Sequence, residues 1–194
     1  MFAKYSLSTD LSVLRDLAMI ILSFTGFLRY DELSNIRCHN VCFIDNSHVK
    51  IRIEKSETDQ YRDCNDILLA KLDSVACPFT ILQLYINIAQ IDLNSSDFLF
   101  KAIFKSKSRS GKKSKTLSYT RTKEVLLSRL KEFASPDLKL GLHSLRSGGA
   151  SAAANANVND RRWRRHGRWK SDAANGYIKD SINNRLSVSQ HLGL

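Results

Sequence analysis

The hydrophobic period of this 194-residue chain switches from helical to strand-like and back, and this switch restricts the fold more than any other feature. Leu11, Leu14, Leu17, Ile21 and Phe24 recur at spacings of three and four, the signature of one buried helical face. Thr9 or Asp10 suits the start of that helix and Gly26 its end. After the short turn Gly26-Phe27-Leu28-Arg29, Tyr30 to Arg37 restarts a helix. Asp31 and Glu32 lie in its first turn, where the helix dipole favours negative charge. The period then falls to two. Val41-Cys42-Phe43-Ile44, the alternating Val49, Ile51 and Ile53, and Asp66-Ile67-Leu68-Leu69 read as three short strands in an antiparallel meander. Helical patterning returns after Pro78, which costs no hydrogen bond at a first helical position. It continues over 119–134, over the small-residue stretch 142–157, over Asp160 to His166 and over Asp172 to Ile182. Phe98-Leu99-Phe100 reads as a short buried piece. Residues 105–118, basic and without period, read as a mobile loop. The expected fold class is α+β, mainly helical, with one small antiparallel three-stranded sheet, in a single domain spanning 1–194.

Charge narrows the partners. Lys and Arg number 30 against 19 Asp and Glu, a net charge of +11. Residues 1–100 hold 9 basic and 13 acidic side chains (net −4), and residues 101–194 hold 21 and 6 (net +15). Basicity gathered in one half points to a polyanion, nucleic acid first. An RNA-binding module has only this charge in its favour, because no stacking motif with interleaved aromatics accompanies it. The longest apolar stretch, Leu17 to Leu28, contains Ser23, Thr25 and Gly26 and is too short to cross a bilayer, so no membrane partner is expected. The first ten residues lack an apolar core of the secretory kind. Cys38, Cys42, Cys64 and Cys77 read as unpaired thiols. Cys38-His39-x-x-Cys42 has no second ligand pair at a zinc spacing, so no metal is expected.

Four places carry chemistry. Arg29 sits at a tight turn. His143 and Arg146, three apart, share a helix face. Trp169 precedes Tyr177 by eight residues, and Arg161, Arg162, Arg164, Arg165 and Arg168 crowd into eight positions around Trp163. A guanidinium fork binds two phosphate oxygens at once, an imidazole donates or moves a proton, and a second arginine would complete a clamp around charge building on phosphorus. The five clustered arginines are expected to face DNA phosphates as a group.

Taken together, these segments resemble the catalytic domain of the tyrosine recombinases, or phage integrases, and look closest to eukaryotic mobile-element members of the Crypton-like and DIRS-like kind. The resemblance rests on Thr25-Gly-Phe-Leu-Arg29-Tyr-Asp-Glu32-Leu, on Lys55-Ser-Glu-Thr58-Asp-Gln-Tyr-Arg62, on Leu142-His143-Ser-Leu-Arg146-Ser-Gly-Gly149-Ala, and on His166-Gly-Arg-Trp169-Lys-Ser-Asp-Ala-Ala-Asn-Gly-Tyr177-Ile. It implies double-stranded DNA as partner, cleavage and rejoining of strands, and self-association on DNA during strand exchange. By the same resemblance Arg29 is the first clamp arginine and Glu32 a partner that holds its turn. His143 and Arg146 are the pair of the H-x-x-R motif, Trp169 is a ring N–H donor to phosphate, and Tyr177 is the nucleophile. The tyrosine would attack a phosphodiester, giving a 3′-phosphotyrosyl link and a free 5′-hydroxyl. A free phenol titrates near about pH 10, and a cluster of guanidinium and imidazole groups favours its anion. The covalent link conserves the phosphodiester energy and the arginines carry the electrostatics, so no cofactor is implied.

The chain departs from the pattern in three respects. Where this branch carries a hairpin lysine as general acid, Glu57 stands; Lys55, two residues earlier, would lie on the same side of a strand and could take the lysine's place. The Trp169–Tyr177 interval is eight residues where the family usually has nine. The chain also begins almost at the catalytic segment, so the N-terminal DNA-clamp domain of the family is expected to be absent. These departures leave a second reading open, a decayed or domesticated domain that holds DNA without cutting it. The location implied is the nucleus for a eukaryotic mobile element, or cytoplasm and nucleoid for a prokaryotic one.

Overall fold

The computed structural model describes residues 1–5, 7–54, 65–105, 110–169 and 172–191. A short helix α1 (Phe2–Tyr5) leads into α2 (Leu11–Thr25), the central helix of the core. Asp10 caps α2: its carboxylate accepts from the N–H groups of Ser12 and Val13 at 2.8 and 3.4 Å. Every residue from Leu14 to Ser23 is buried. This includes Arg15 and Asp16, joined at 2.7 Å, with Arg129 reaching the same carboxylate at 2.8 Å. Removing one partner of such a buried pair typically costs about 3–5 kcal/mol, so this triad ties α2 firmly to the helix that carries Arg129.

Helix α3 (Tyr30–Ser34) is shorter than its periodicity predicts. The chain leaves it at Asn35 because Ile36 and Cys38 are taken up by backbone pairing elsewhere: Leu99 N–H donates to Ile36 O and Cys38 N–H to Asp97 O, both at 2.9 Å. The three-stranded sheet follows as expected, β1 (Val41–Ile44), β2 (His48–Ile53) and β3 (Asn65–Ala70), antiparallel in the order β1-β2-β3. Its first turn places Asp45 and Asn46 at φ 42° and 55°, the left-handed pair that a tight hairpin demands. Val49, Ile51, Ile67 and Leu69 face the core, whereas Lys50 and Arg52 lie outside beside Asp66. Helix α4 (Pro78–Ile88) packs on α2, and its Tyr85 stacks on Phe100 at 5.6 Å.

A second, two-stranded ladder joins β4 (Lys101–Lys105) to β5 (Ser110–Thr116). The loop expected over 105–118 is thus a strand over much of its length. Its lysines hide the strand signal, because an edge strand with few apolar side chains shows no alternation. Helix α5 (Tyr119–Lys131) is capped by Ser118, and α6 (Leu142–Asn155) packs on α2. The small side chains of α6 permit close approach: a Cβ on Gly149 would lie 2.0 Å from the Phe24 carbonyl oxygen. Helix α7 (Asp160–His166) comes next, then a 3-10 segment Asp172–Tyr177, then α8 (Ile182–Gln190). The single helix expected over 172–182 is therefore two pieces. The architecture is mixed α+β: β4 and α5 meet the first half of α2 at Arg15 and Asp16, whereas α6 and α7 meet its C-terminal end at Phe24 and Thr25. Among the described residues, no helix is long and apolar enough to cross a membrane.

Candidate active site

The turn after α2 is the floor of the site. Gly26 closes the helix, and Phe27 takes φ 48°, a backbone conformation that L side chains seldom adopt. This bend aims the Phe27 carbonyl toward α6. Arg29 then caps α3, donating its backbone N–H to Glu32 Oε2 at 2.7 Å and its side chain to Oε1 at 3.3 Å. Its guanidinium stays about half exposed, at 46%.

His143 and Arg146 sit in the first two turns of α6, as their spacing requires, but in different settings. His143 is exposed at the surface. Burial of its ring, then the charges of Arg146 and Arg29, lower its pKa. Arg146 is wholly buried, at 0% exposure. One of its terminal nitrogens donates to Phe27 O and the other to Gly167 O at 2.7 Å. Its guanidinium lies 4.2 Å from the centre of the Trp169 ring, a cation–π contact in a dry place. Burial, then repulsion from Arg29, pushes its pKa down to about 10, with Glu32 opposing, so it remains charged at neutral pH. Arg146 Nε and Trp169 Nε1 are both buried without a hydrogen-bond acceptor among the described residues. Leaving a buried donor unpaired typically costs about 1–3 kcal/mol, so two adjacent ones mark a place built for an acceptor.

Tyr177 ends the 3-10 segment, and its ring lies 4.9 Å from that of His143 and 5.5 Å from that of Trp169. The tighter 3-10 winding, about three residues per turn, brings the tyrosine to these partners across the eight-residue interval. Two side chains one turn apart on α6 hang this segment in place. Ser151 Oγ donates to Tyr177 O and accepts from Lys179 N–H, both at 3.0 Å. Asn155 donates to Lys179 O and accepts from Ser181 N–H, both at 2.9 Å. Sequence reasoning missed both, although their spacing of four on one helix face was visible.

The arginine cluster divides. Arg161, Arg162 and Arg165 are exposed. Arg164 is engaged with Asp160 at 2.8 Å and with Asn175 at 2.7 Å. Arg168 turns inward with its side chain 7% exposed, bound to Glu32 and to main-chain carbonyls, so the five do not face outward as a group. Trp163, at their centre, is a core residue in edge contact with Trp169 at 5.7 Å. Glu32 collects these charges. Burial would raise its carboxyl, but the Arg168 charge and hydrogen bond, the Arg29 N–H and the Arg146 charge outweigh that and hold it below the usual carboxylate range. Lys55 and Glu57 lie outside the described residues. Among the described residues no group of three or more His, Cys, Asp or Glu side chains is placed to hold a metal ion.

No family model matches the sequence, and no curated protein matches it. Solved structures do. The chain superposes on XerH site-specific recombinase in a post-cleavage complex with palindromic difH substrate, with a TM-score of 0.67 at 14% identity over 100% of this chain and 50% of that one. XerA recombinase matches with a TM-score of 0.61 at 18% identity, over 96% of this chain and 63% of that one. The Tn1549 transposon integrase in complex with transposon right end DNA matches with a TM-score of 0.54 at 15% identity, over 92% and 58%. The chain thus spans between half and two thirds of the length of these proteins. The arrangement of helices about a small antiparallel sheet is accordingly the tyrosine recombinase catalytic-domain fold.

Proposed function

We propose that this protein cleaves and rejoins double-stranded DNA through a 3′-phosphotyrosyl intermediate, as a site-specific recombinase or integrase. The observation that carries the reading is the meeting of Tyr177 with His143 and Trp169, at 4.9 and 5.5 Å, over the buried Arg146. Tyr177 is the nucleophile. Arg29, half exposed at the rim, and the orphaned donors of Arg146 and Trp169 supply positive charge and N–H groups where a phosphate would gain charge in the transition state. Arg146 spends its terminal nitrogens on Phe27 O and Gly167 O, so phosphate capture by its fork exchanges those bonds for phosphate oxygens. Lys55 is assigned as proton donor to the leaving 5′-oxygen on the sequence pattern alone. Exposed Arg161, Arg162 and Arg165 bind flanking phosphates, and copies of the chain associate on DNA during exchange.

A second reading, binding without cutting, is favoured by one observation: Glu57 occupies the place of a lysine in the resembling motif, and a carboxylate there repels phosphate. A nicked duplex whose cut fragment diffuses away separates the two. The cleaving reading predicts a covalent protein–DNA adduct that Tyr177→Phe abolishes while DNA affinity stays within about twofold, because only a hydroxyl is lost. Adduct in neither protein, with binding intact, selects the second reading. Kinship with Crypton-like and DIRS-like elements, and with it a nuclear location, rests on the motifs of the sequence.

A further inference from the structure

One carboxylate in the site answers to three guanidinium groups. Arg168 approaches Glu32 with two prongs, Nε at 3.2 Å from Oε1 and Nη2 at 3.0 Å from Oε2. Arg29 Nη1 stands 3.3 Å from Oε1, and Arg146 Nη1 stands 3.6 Å from Oε2. The remaining N–H groups of Arg168 reach main-chain carbonyls: Nη1 donates to Gly26 O at 3.2 Å and His166 O at 2.8 Å, and Nη2 to Phe27 O at 3.1 Å. A guanidinium has five N–H donors, and here each has an acceptor. The side chain is 7% exposed, and the backbone takes φ 58° to direct it inward. A residue so engaged has no donor left for DNA.

We propose that Arg168 is a positioning residue: it holds the Glu32 carboxylate and the Gly26–Phe27 turn so that Glu32 does not draw in Arg29 or Arg146, leaving Arg29 open to a phosphate and Arg146 able to exchange its carbonyl partners for one. The proposal rests on the active-site reading above. The physical reason is competition. Glu32 and a DNA phosphate are both anions that want the same two arginines. Without the two prongs of Arg168, the nearest cations to the carboxylate are Arg29 and Arg146, and the attraction grows as they close. Glu32 would then neutralise the clamp. The same loss frees the Phe27 carbonyl, which Arg146 and Arg168 share, to settle on Arg146 alone.

The experiment compares four full-length proteins: the parent, Arg168→Gln, Arg168→Gln with Glu32→Gln, and Leu82→Ala as a remote core variant matched for its drop in melting temperature. Each is measured for the single-turnover rate of covalent adduct formation and for the rise in melting temperature caused by inorganic phosphate. Arg168→Gln should slow adduct formation about tenfold, within the range of couplings between contacting charges. It should also weaken the phosphate effect. Glu32→Gln in that background should restore about threefold of the rate and part of the phosphate effect without restoring melting temperature, because it removes the competing anion. Leu82→Ala should leave both unchanged. A double variant no faster than Arg168→Gln, or a Leu82→Ala protein slowed equally, overturns the proposal and leaves the active-site reading standing. If the parent forms no adduct but the order of phosphate effects holds, the cleavage reading fails while the phosphate site, and with it the role of Arg168, stands. No adduct and no phosphate effect in the parent overturns both.

Discussion

His143 and His166 share a physical predicament at the residue scale: each is an imidazole beside arginine. Burial, then the charges of Arg146 and Arg29, lower the pKa of His143. Burial also lowers His166, with Arg168 adding to the effect, although its Nε2 hydrogen bond to Thr25 O at 2.7 Å works the other way. A histidine whose pKa is lower folded than unfolded binds its proton more readily in the unfolded chain. Stability is then fully present above the ordinary value of about 6.5 and declines as pH falls below it. The melting temperature should therefore drop between pH 7.5 and pH 5.5, a window above the titration of the carboxylates. His166→Gln should flatten part of that slope. A melting temperature that is level or rises on acidification would contradict this account of the two rings.

At the scale of elements, the crossing of α2 and α6 sets the spacing of the site, and glycine sets the crossing. A Cβ on Gly149 would stand 2.0 Å from Phe24 O and 2.8 Å from the Phe27 ring, whereas one on Gly148 would meet only the Phe24 ring, at 3.4 Å. Gly149→Ala should thus destabilise by about 1–3 kcal/mol or more through overpacking against backbone. Gly148→Ala should be neutral or stabilising by up to about 1 kcal/mol through helix propensity. Chemical denaturation of the two variants checks the contrast, and equal effects would mean that the helices are not so closely crossed. Elements of this kind were legible when one face was apolar: α2, the meander and α4 all announce themselves by period. The β4–β5 hairpin did not, because its pairing is carried by backbone and its side chains are mostly Lys and Ser. The split of 172–182 was hidden too. The end of its 3-10 turn is held from outside by Ser151 on α6, and the link from there to α8 by Asn155; local sequence does not display a tertiary hydrogen bond. Within the candidate site, motif spacing brought His143, Arg146, Trp169 and Tyr177 into one reading. It left Arg168 among the surface arginines, because charge alone does not say which way a side chain turns.

Over the whole molecule, the proposed function together with the net +15 of the second half predicts a DNA affinity that depends steeply on salt. Only outward-facing arginines should contribute to that slope. Replacing Arg161 and Arg165 by Gln should reduce the slope of log affinity against log salt by about 2, roughly one unit for each phosphate that is no longer neutralised. An unchanged slope would place α7 away from the DNA. The central claim is that Tyr177 forms the covalent bond to DNA, and the most direct measurement is chemical. The parent protein is trapped on a nicked duplex, digested with protease and nuclease, and the peptide that keeps a nucleotide is sequenced by mass spectrometry. The account predicts one modified peptide, carrying a 3′-linked nucleotide on Tyr177. A nucleotide on any other residue, or an adduct that persists in Tyr177→Phe, would contradict it.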